Sequence, residues 1–588
     1  MENISFDFAD IRKRLLSKAV WVPLRASEIV SDGEPGRAGW KEEFFGLGSV
    51  AIPVAKRGQA EKIGWQELSN SQGVWASEKL YKPADVFQRH EGEDLGVSLV
   101  LTQDFETDDQ GVWHLNQDVV LALGLVRDGD LWLRPSEDYQ EVARLRRRHD
   151  GRPNLLEMKN EFLRDYLCAR QMLLRTAMFR SRSVIVKDLK EVGSPVEKKE
   201  QTELDEYELR HLPQIEGGFG GDGAYSVFRI GRTDVDPDED VPTPGPGTDQ
   251  NTESISWSAR HTGQQVICVM AELWRTENIE PAEASIRIRG DHVPSGIAYI
   301  TDASGATTSS EDLNDEEKMR WLWFRPEVIP NIMKRRGGSL RWYTRMTGGI
   351  GFTVSNLTHF GVNKVDLINV YAYDIAKLPV WQQRIWAGYN VAPEGGVSDE
   401  LVSAQARAIV AETTGPEAQL SKMLPSLDNL FKKAIGSPLF RSHAESDDLL
   451  ATIHRFRGLE HGGVLSLAKD IMRLLADRMD VGALQAAAPP PKGVTWGSLK
   501  SLEKYLGTII TQDDARKMMG PLLGAYNLRI ADAHLSSKEL TDAFRLAQVD
   551  PDASRLEQGM QLLSSVCGTI DQIGKIMTEV EENKHQTT

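Results

Sequence analysis

From residue 1 to about 140 the apolar positions come in short runs broken by Gly and Pro, as in GLGSVAIPVA (46–55), LGVSLVLTQ (95–103) and DLWLRP (130–135). That pattern predicts a β-rich module. Between about Asn154 and Phe179 the spacing changes: Leu155, Met158, Phe162, Tyr166, Cys168 or Ala169, Leu173 and Ala177 recur near the helical period, with Pro153 placed for a first turn. A helix is predicted there. Residues 233–253 combine acidic residues with Pro and Gly and offer only valines for burial, so ordering them would not be repaid by packing and a mobile surface loop is expected. From 255 to 395 strand-like runs return (QVICVMAELW, GIAYITDASG, VDLINVYAYDI), with a dense aromatic set at Trp321, Trp323, Phe324, Trp342, Tyr343, Trp381 and Trp386.

After Gly395 and Gly396 the period becomes helical to the end. Val464, Leu467, Ala468, Ile471, Leu474, Leu475 and Met479 follow i, i+3, i+4, i+7 spacing, as do Leu556, Met560, Leu563, Cys567, Ile570, Ile573 and Met577. Stripes of this kind pack a bundle, and AAAPPPKG (486–493) reads as a connector between two of its helices. The expected class is α+β: a β-rich mixed N-terminal region followed by an all-α bundle. The expected segments are a β-rich module (1–140), a helical or mixed connector (141–232), the acidic loop (233–253), a second β-containing module (254–397) and the helical domain (398–588).

Composition narrows the function classes. A formal charge of -17 over 588 residues argues against a protein that coats nucleic acid with its whole surface, so such contact would have to be local. Cys168, Cys268 and Cys567 are the three cysteines, too few and too far apart for a disulfide framework or a four-thiolate zinc site. A reducing compartment is expected. The first twenty residues carry charges throughout, and no apolar run approaches the ~18 residues of a membrane span, so the cytoplasm is the expected location.

Chemistry concentrates near the C-terminus. In PLLGAYNLRIADAH followed by LSSKEL, Ser536 and Glu539 have capping-box spacing, which starts a new helix directly after His534. His534 then stands at a helix-to-helix corner beside a positive helix end, where phosphate is favoured and an imidazolium is not. Arg529 supplies a planar guanidinium for two phosphate oxygens, and an imidazole titrates near pH ~6.5, so the pair suits binding a phosphate and moving a proton. Five residues on one helix span about 140°, so the two share a face only if the helix ends or bends, or if a two-fold mate supplies the second residue.

LRIADAH at the end of a late helix resembles the R-x4-H motif of the HEPN superfamily of helical nucleotide-binding domains. The resemblance covers about 446 to 582. It implies a dimeric, metal-independent endoribonuclease of the kind found in toxin, CRISPR or anti-phage systems, with Arg529 and His534 catalytic and Asn527 and Asp532 accessory; no cofactor or metal is implied. Position 530 is Ile where many members carry a polar residue. A second R-x4-H occurrence, Arg144 to His149, lacks the bundle context.

Other candidates fall outside the motif. His454, Arg457 and His461 lie at a Gly-rich break in the same domain and suit either the lining of the same groove or surface polar positions at a helix junction; the two histidines lack a third metal ligand. Residues 142–182 hold 11 Arg or Lys against four Asp or Glu, including Arg144, Arg146, Arg147 and Arg148. KRRGGSLRWYTR (334–345) adds Lys334, Arg335, Arg336, Arg341 and Arg345 with Trp342 interleaved. Both stretches suit either a phosphate backbone, with Trp342 stacking a base, or ion pairs with the acidic remainder. Gly218, Gly220 and Gly223 fit G-x-G-x-x-G, but a strand-like run follows where a dinucleotide site needs a helix, which excludes that site.

The expectation drawn from all this is an anti-phage defence or stress protein whose β-containing sensor region, answering an unknown trigger such as a phage-derived one, controls a homodimeric HEPN-like ribonuclease acting on RNA away from membranes. The alternative is a non-enzymatic nucleic-acid- or protein-binding regulator that uses the helical domain to dimerise.

Overall fold

A computed structural model describes residues 5–69, 74–88, 93–105, 108–216, 224–232, 252–260, 264–442, 446–534 and 537–586. The fold is α+β, sheet-rich first and helical from about residue 399. Two units divide the chain, residues 1–293 and 294–588.

The first unit is built on a twelve-stranded antiparallel sheet. Its strands are β1 (Trp21–Asp32), β2 (Lys41–Pro53), β3 (Val126–Asp128), β4 (Leu131–Arg134), β5 (Gln140–Arg147), β6 (Pro153–Lys159), β7 (Met172–Val186), β8 (Lys198–Gln201), β9 (Asp205–Ile215) and β10 (Gln265–Ile279). They run in the order β8-β9-β10-β7-β2-β1-β6-β5-β4-β3, with Val86–Gln88 and Asp94–Val97 attached beside β2. This sheet passes through the divisions expected at 140 and 232. Residues 141–232 supply five of its strands in whole or part rather than a connector, and β10, expected in a second module, pairs with β7 and β9.

The predicted helix from Asn154 to Phe179 is corrected to its central 11 residues. Helix α2 spans Asn160–Arg170 and ends at Gln171, whose φ of 54° is left-handed. Pro153 opens β6 instead of a helix. Residues 172–178 are buried without alternation, because β7 lies between β2 and β10 with both faces covered there. Leu173 and Ala177, four apart, satisfy the strand period as well as the helical one.

A short helix, α1 (Trp65–Ser69), lies on the sheet over two glycines of β2. A Cβ at Gly46 would come 2.2 Å from the Trp65 ring, and one at Gly48 2.8 Å from Leu68. These glycines form the track that seats the helix. AYSVFRI is a strand, within Ala224–Arg232, paired with Thr252–Arg260. The glycines at 218, 220 and 223 and most of the predicted acidic loop lie outside the described residues.

The second unit begins with a six-stranded antiparallel sheet: β11 (Trp321–Phe324), β12 (Ser339–Trp342), β13 (Thr347–Thr353), β14 (Asn356–Val362), β15 (Ile368–Tyr371) and β16 (Asn390–Val391), in the order β12-β13-β14-β15-β11-β16. Helices follow as α3 (Asp399–Arg407), α4 (Pro416–Ile435), α5 (Gly463–Leu474), α6 (Val481–Ala487), α7 (Ser498–Leu506), α8 (Gln512–Met518), α9 (Gly520–His534), α10 (Ser537–Leu546) and α11 (Arg555–Gln586). Both predicted stripes are buried in one bundle core, from Val464 to Met479 and from Leu563 to Met577. The Pro-rich segment joins α6 to α7, as expected. Phe456 and Leu556 of the helical part sit in the sheet's core beside Phe324, Phe360 and Trp386, so sheet and helices share apolar packing. Among the described residues no helix is long and apolar enough to cross a membrane.

Candidate active site in the helical domain

Helix α9 buries Leu522, Ala525 and Leu528 and turns Leu523 and Ile530 outward. It crosses α10 closely, since a Cβ at Gly524 would stand 2.1 Å from the Ala547 amide nitrogen. Arg529 leaves the partly open side. Its Nη1 donates to Asp477 Oδ1 at 2.8 Å, and the side chains are 29% and 47% exposed. Asp477 is held in the short 3-10 turn that follows α5, where its carbonyl accepts from Arg441 Nη2 at 2.9 Å. The Tyr526 ring lies 5.9 Å from the guanidinium carbon. The hydrogen bond and charge of Asp477 raise the Arg529 pKa further above its ordinary value, so this cation persists at every working pH.

The corner forms where the capping spacing puts it: α9 ends at His534 and α10 opens at Ser537. Ser536 lies outside the described residues. Of Asp532 and His534 only the backbone is described, and Asn527 is half-buried on α9. The helix does not break between Arg529 and His534, so their positions diverge by about 140° around its axis. His534 is placed at the carbonyl end of one helix, which favours an imidazolium, and just before the amide end of the next, which favours an anion.

The expected groove at 454–461 is not open along its length. His454 is buried, 6% exposed, and its Nδ1 has no hydrogen-bond partner among the described residues. Burial pushes its pKa down to about 4; the neighbouring Glu417 opposes this, and Arg457 and Arg455 add to it. Arg457 is committed to Asp470 at 3.1 Å and to Glu460, which also takes Lys334 at 3.2 Å. His461 alone is exposed, its carbonyl accepting from Ser466 Oγ at 3.2 Å. The groove assignment is corrected for His454: the 3-10 turn Arg455–Leu459 is pressed into the domain by α11, with a Cβ at Gly559 only 2.5 Å from the Arg455 carbonyl.

Arg455, in the same turn, is more deeply buried than Arg457. Its Nε and Nη2 donate to Glu417 Oε1 and Oε2 at 2.8 and 3.0 Å, and the side chains are 1% and 6% exposed. Its guanidinium lies 4.1 Å from the centroid of Trp342, which also stacks on Phe456 at 5.7 Å. Trp342 therefore supports a buried ion pair instead of offering a free face for a base. In the same stretch Arg335 Nε donates to Asn331 at 3.4 Å, while Arg336, Arg341 and Arg345 are exposed.

The first basic stretch is tied into its own sheet. Arg144 and Arg146 both reach Glu157, at 2.6 and 3.0 Å, and Arg144 covers the Trp21 ring. Arg147 pairs with Asp130 through Nε and Nη2, at 2.8 and 2.9 Å, and Arg148 donates to the Ser27 carbonyl at 2.6 Å. Ion pairing with nearby acids thus accounts for most of this cluster. No protein-family model, curated protein or solved structure matches the chain.

Proposed function

We propose that the helical domain is a HEPN-like, metal-independent endoribonuclease in which Arg529 and His534 act on RNA, in a homodimeric defence or stress protein whose preceding 400 residues sense a trigger. One observation carries this: a permanently charged, partly exposed guanidinium sits five residues before a helix corner that carries a histidine. In the reaction His534 takes the proton of a ribose 2′-hydroxyl, and the 2′-oxygen attacks the adjacent phosphorus. The bond to the 5′-oxygen breaks and that oxygen leaves with the proton the imidazole acquired, returning His534 to its neutral form, while Arg529 compensates the charge gathering on the phosphate. The 140° divergence is accommodated by a two-fold arrangement in which each corner faces its mate.

The test is cleavage of single-stranded RNA by the full chain and by Arg529→Ala and His534→Ala. Products with 2′,3′-cyclic phosphate ends, lost in both variants at unchanged melting temperature, are expected. Cleavage retained by both variants removes the assignment.

The continuous path of α9 and the carboxylate already on Arg529 favour a second function for the same domain, a binding or dimerisation module without chemistry. RNA association that weakens steeply with salt and yields no product would select it.

A further inference from the structure

We infer that a notch on the N-terminal sheet is a binding site for an organic cation, a guanidinium or alkylated ammonium group, in a cavity lined by two tryptophans and by carboxylates. The inference uses only the first unit and stands apart from the nuclease proposal.

The site follows from strand register. Phe179 of β7 is directly opposite Trp274 of β10, and Trp274 is directly opposite Glu206 of β9, so these three side chains form one row across neighbouring strands on one face. Trp65 from α1, lowered onto the sheet by Gly46, stacks on Phe179 with centroids 6.2 Å apart, and Phe179 meets Trp274 at 5.2 Å. Phe179 is thus the spacer that fixes both indoles, each of which is only half-buried. A cavity of about 520 Å³ opens where β9 begins, with Trp65 and Trp274 among its walls.

Charge selects the ligand. Asp205 and Arg275, both buried in the wall, neutralise each other at 2.8 Å. That leaves Glu67, Glu203 and Glu206 against Lys62. Glu203 and Glu206 are exposed, and Glu206 lies 3.7 Å from Lys199. Indole faces attract cations through their quadrupole, and carboxylates beside them deepen that preference while repelling phosphate. Among the described residues no three carboxylates converge closely enough to hold a metal ion, so indoles flanked by acids suit a broad, weakly hydrated cation better.

Titration calorimetry on the full chain tests this with arginine amide, tetramethylammonium and a short Arg-rich peptide, at low and high salt. Binding that weakens with salt is expected, falling about tenfold in Trp274→Ala and nearly unchanged in Trp274→Phe. Glu206→Gln, on an exposed residue, gives the same readout, weaker binding, if Trp274→Ala fails to fold. Binding of the small cations identifies a metabolite-like ligand, whereas binding of the peptide alone identifies a basic protein segment. Equal affinity in Trp274→Ala or Glu206→Gln, no binding of any cation, or binding of a neutral oligosaccharide such as maltohexaose in their place would each overturn the assignment.

Discussion

Arg455 lies over the ring of Trp342 while two of its nitrogens clasp both carboxylate oxygens of Glu417, at 2.8 and 3.0 Å, and both side chains are buried. Trp342 belongs to a strand, Arg455 to a turn among helices and Glu417 to the first turn of α4, so one ion pair ties three segments of the second unit together.

Removing one partner of such a pair strands the other charge in the interior. Glu417→Ala is expected to cost about 3–5 kcal/mol, the usual range for an orphaned buried ion. Because the pair itself is near break-even against apolar packing, Glu417→Met combined with Arg455→Met should recover most of that loss. Urea unfolding of the second unit, with hydrogen exchange across 455–459, measures both. A single-variant loss below about 1 kcal/mol would show that the charges are hydrated.

His454 gives the second unit an acid limit. Its folded pKa of about 4 lies below the ordinary 6.5, so between those values the unfolded chain holds a proton that the folded chain does not. Stability from this group is therefore complete above about pH 6.5 and is lost as pH falls toward 4, by about 3 kcal/mol at ~1.4 kcal/mol per unit. His454→Leu should flatten that part of the stability–pH curve, measured by urea unfolding from pH 7 to 4. An unchanged slope would place the proton elsewhere.

Gly524 fixes the approach of α9 to α10. A methyl group there meets the backbone of Leu546 and Ala547, which cannot turn aside as a side chain can. Gly524→Ala should destabilise the bundle by about 1–3 kcal/mol, the range for overpacking, despite the gain in helix propensity. Thermal melting decides between these opposed effects, and a rise in melting temperature would show that the crossing has slack.

Local periodicity made the bundle legible. The stripes from Val464 and from Leu556 needed only the 3.6-residue repeat, and the corner after His534 needed only a capping spacing three residues long. Long-range pairing was not legible. Nothing near Phe44 indicates that β2 will pair with β7, more than a hundred residues on, and the continuous burial of residues 172–178 removes the alternation that marks a strand. The basic stretches stayed open between phosphate contact and ion pairing for a related reason: the acids paired with Arg144, Arg147 and Lys334 come from other strands or turns, so local charge counts overstate the free positive surface. The buried pairing of Arg455 was not legible because its carboxylate is 38 residues away.

Asp477 occupies the guanidinium that the proposed reaction needs. The contact is a single hydrogen bond between partly exposed groups, so it contributes under about 1 kcal/mol to the fold and is screened by salt. A phosphate approaching Arg529 nevertheless has to displace or share it, and a neutral amide at 477 competes less well. Asp477→Asn should leave the melting temperature nearly unchanged and raise RNA cleavage by about three- to tenfold, the rate equivalent of up to ~1.4 kcal/mol. The gain should shrink as salt screens the native pair. If cleavage falls instead, Asp477 orients the guanidinium and does not block it; if cleavage is unchanged while Arg529→Ala abolishes it, the carboxylate is already displaced in the active state.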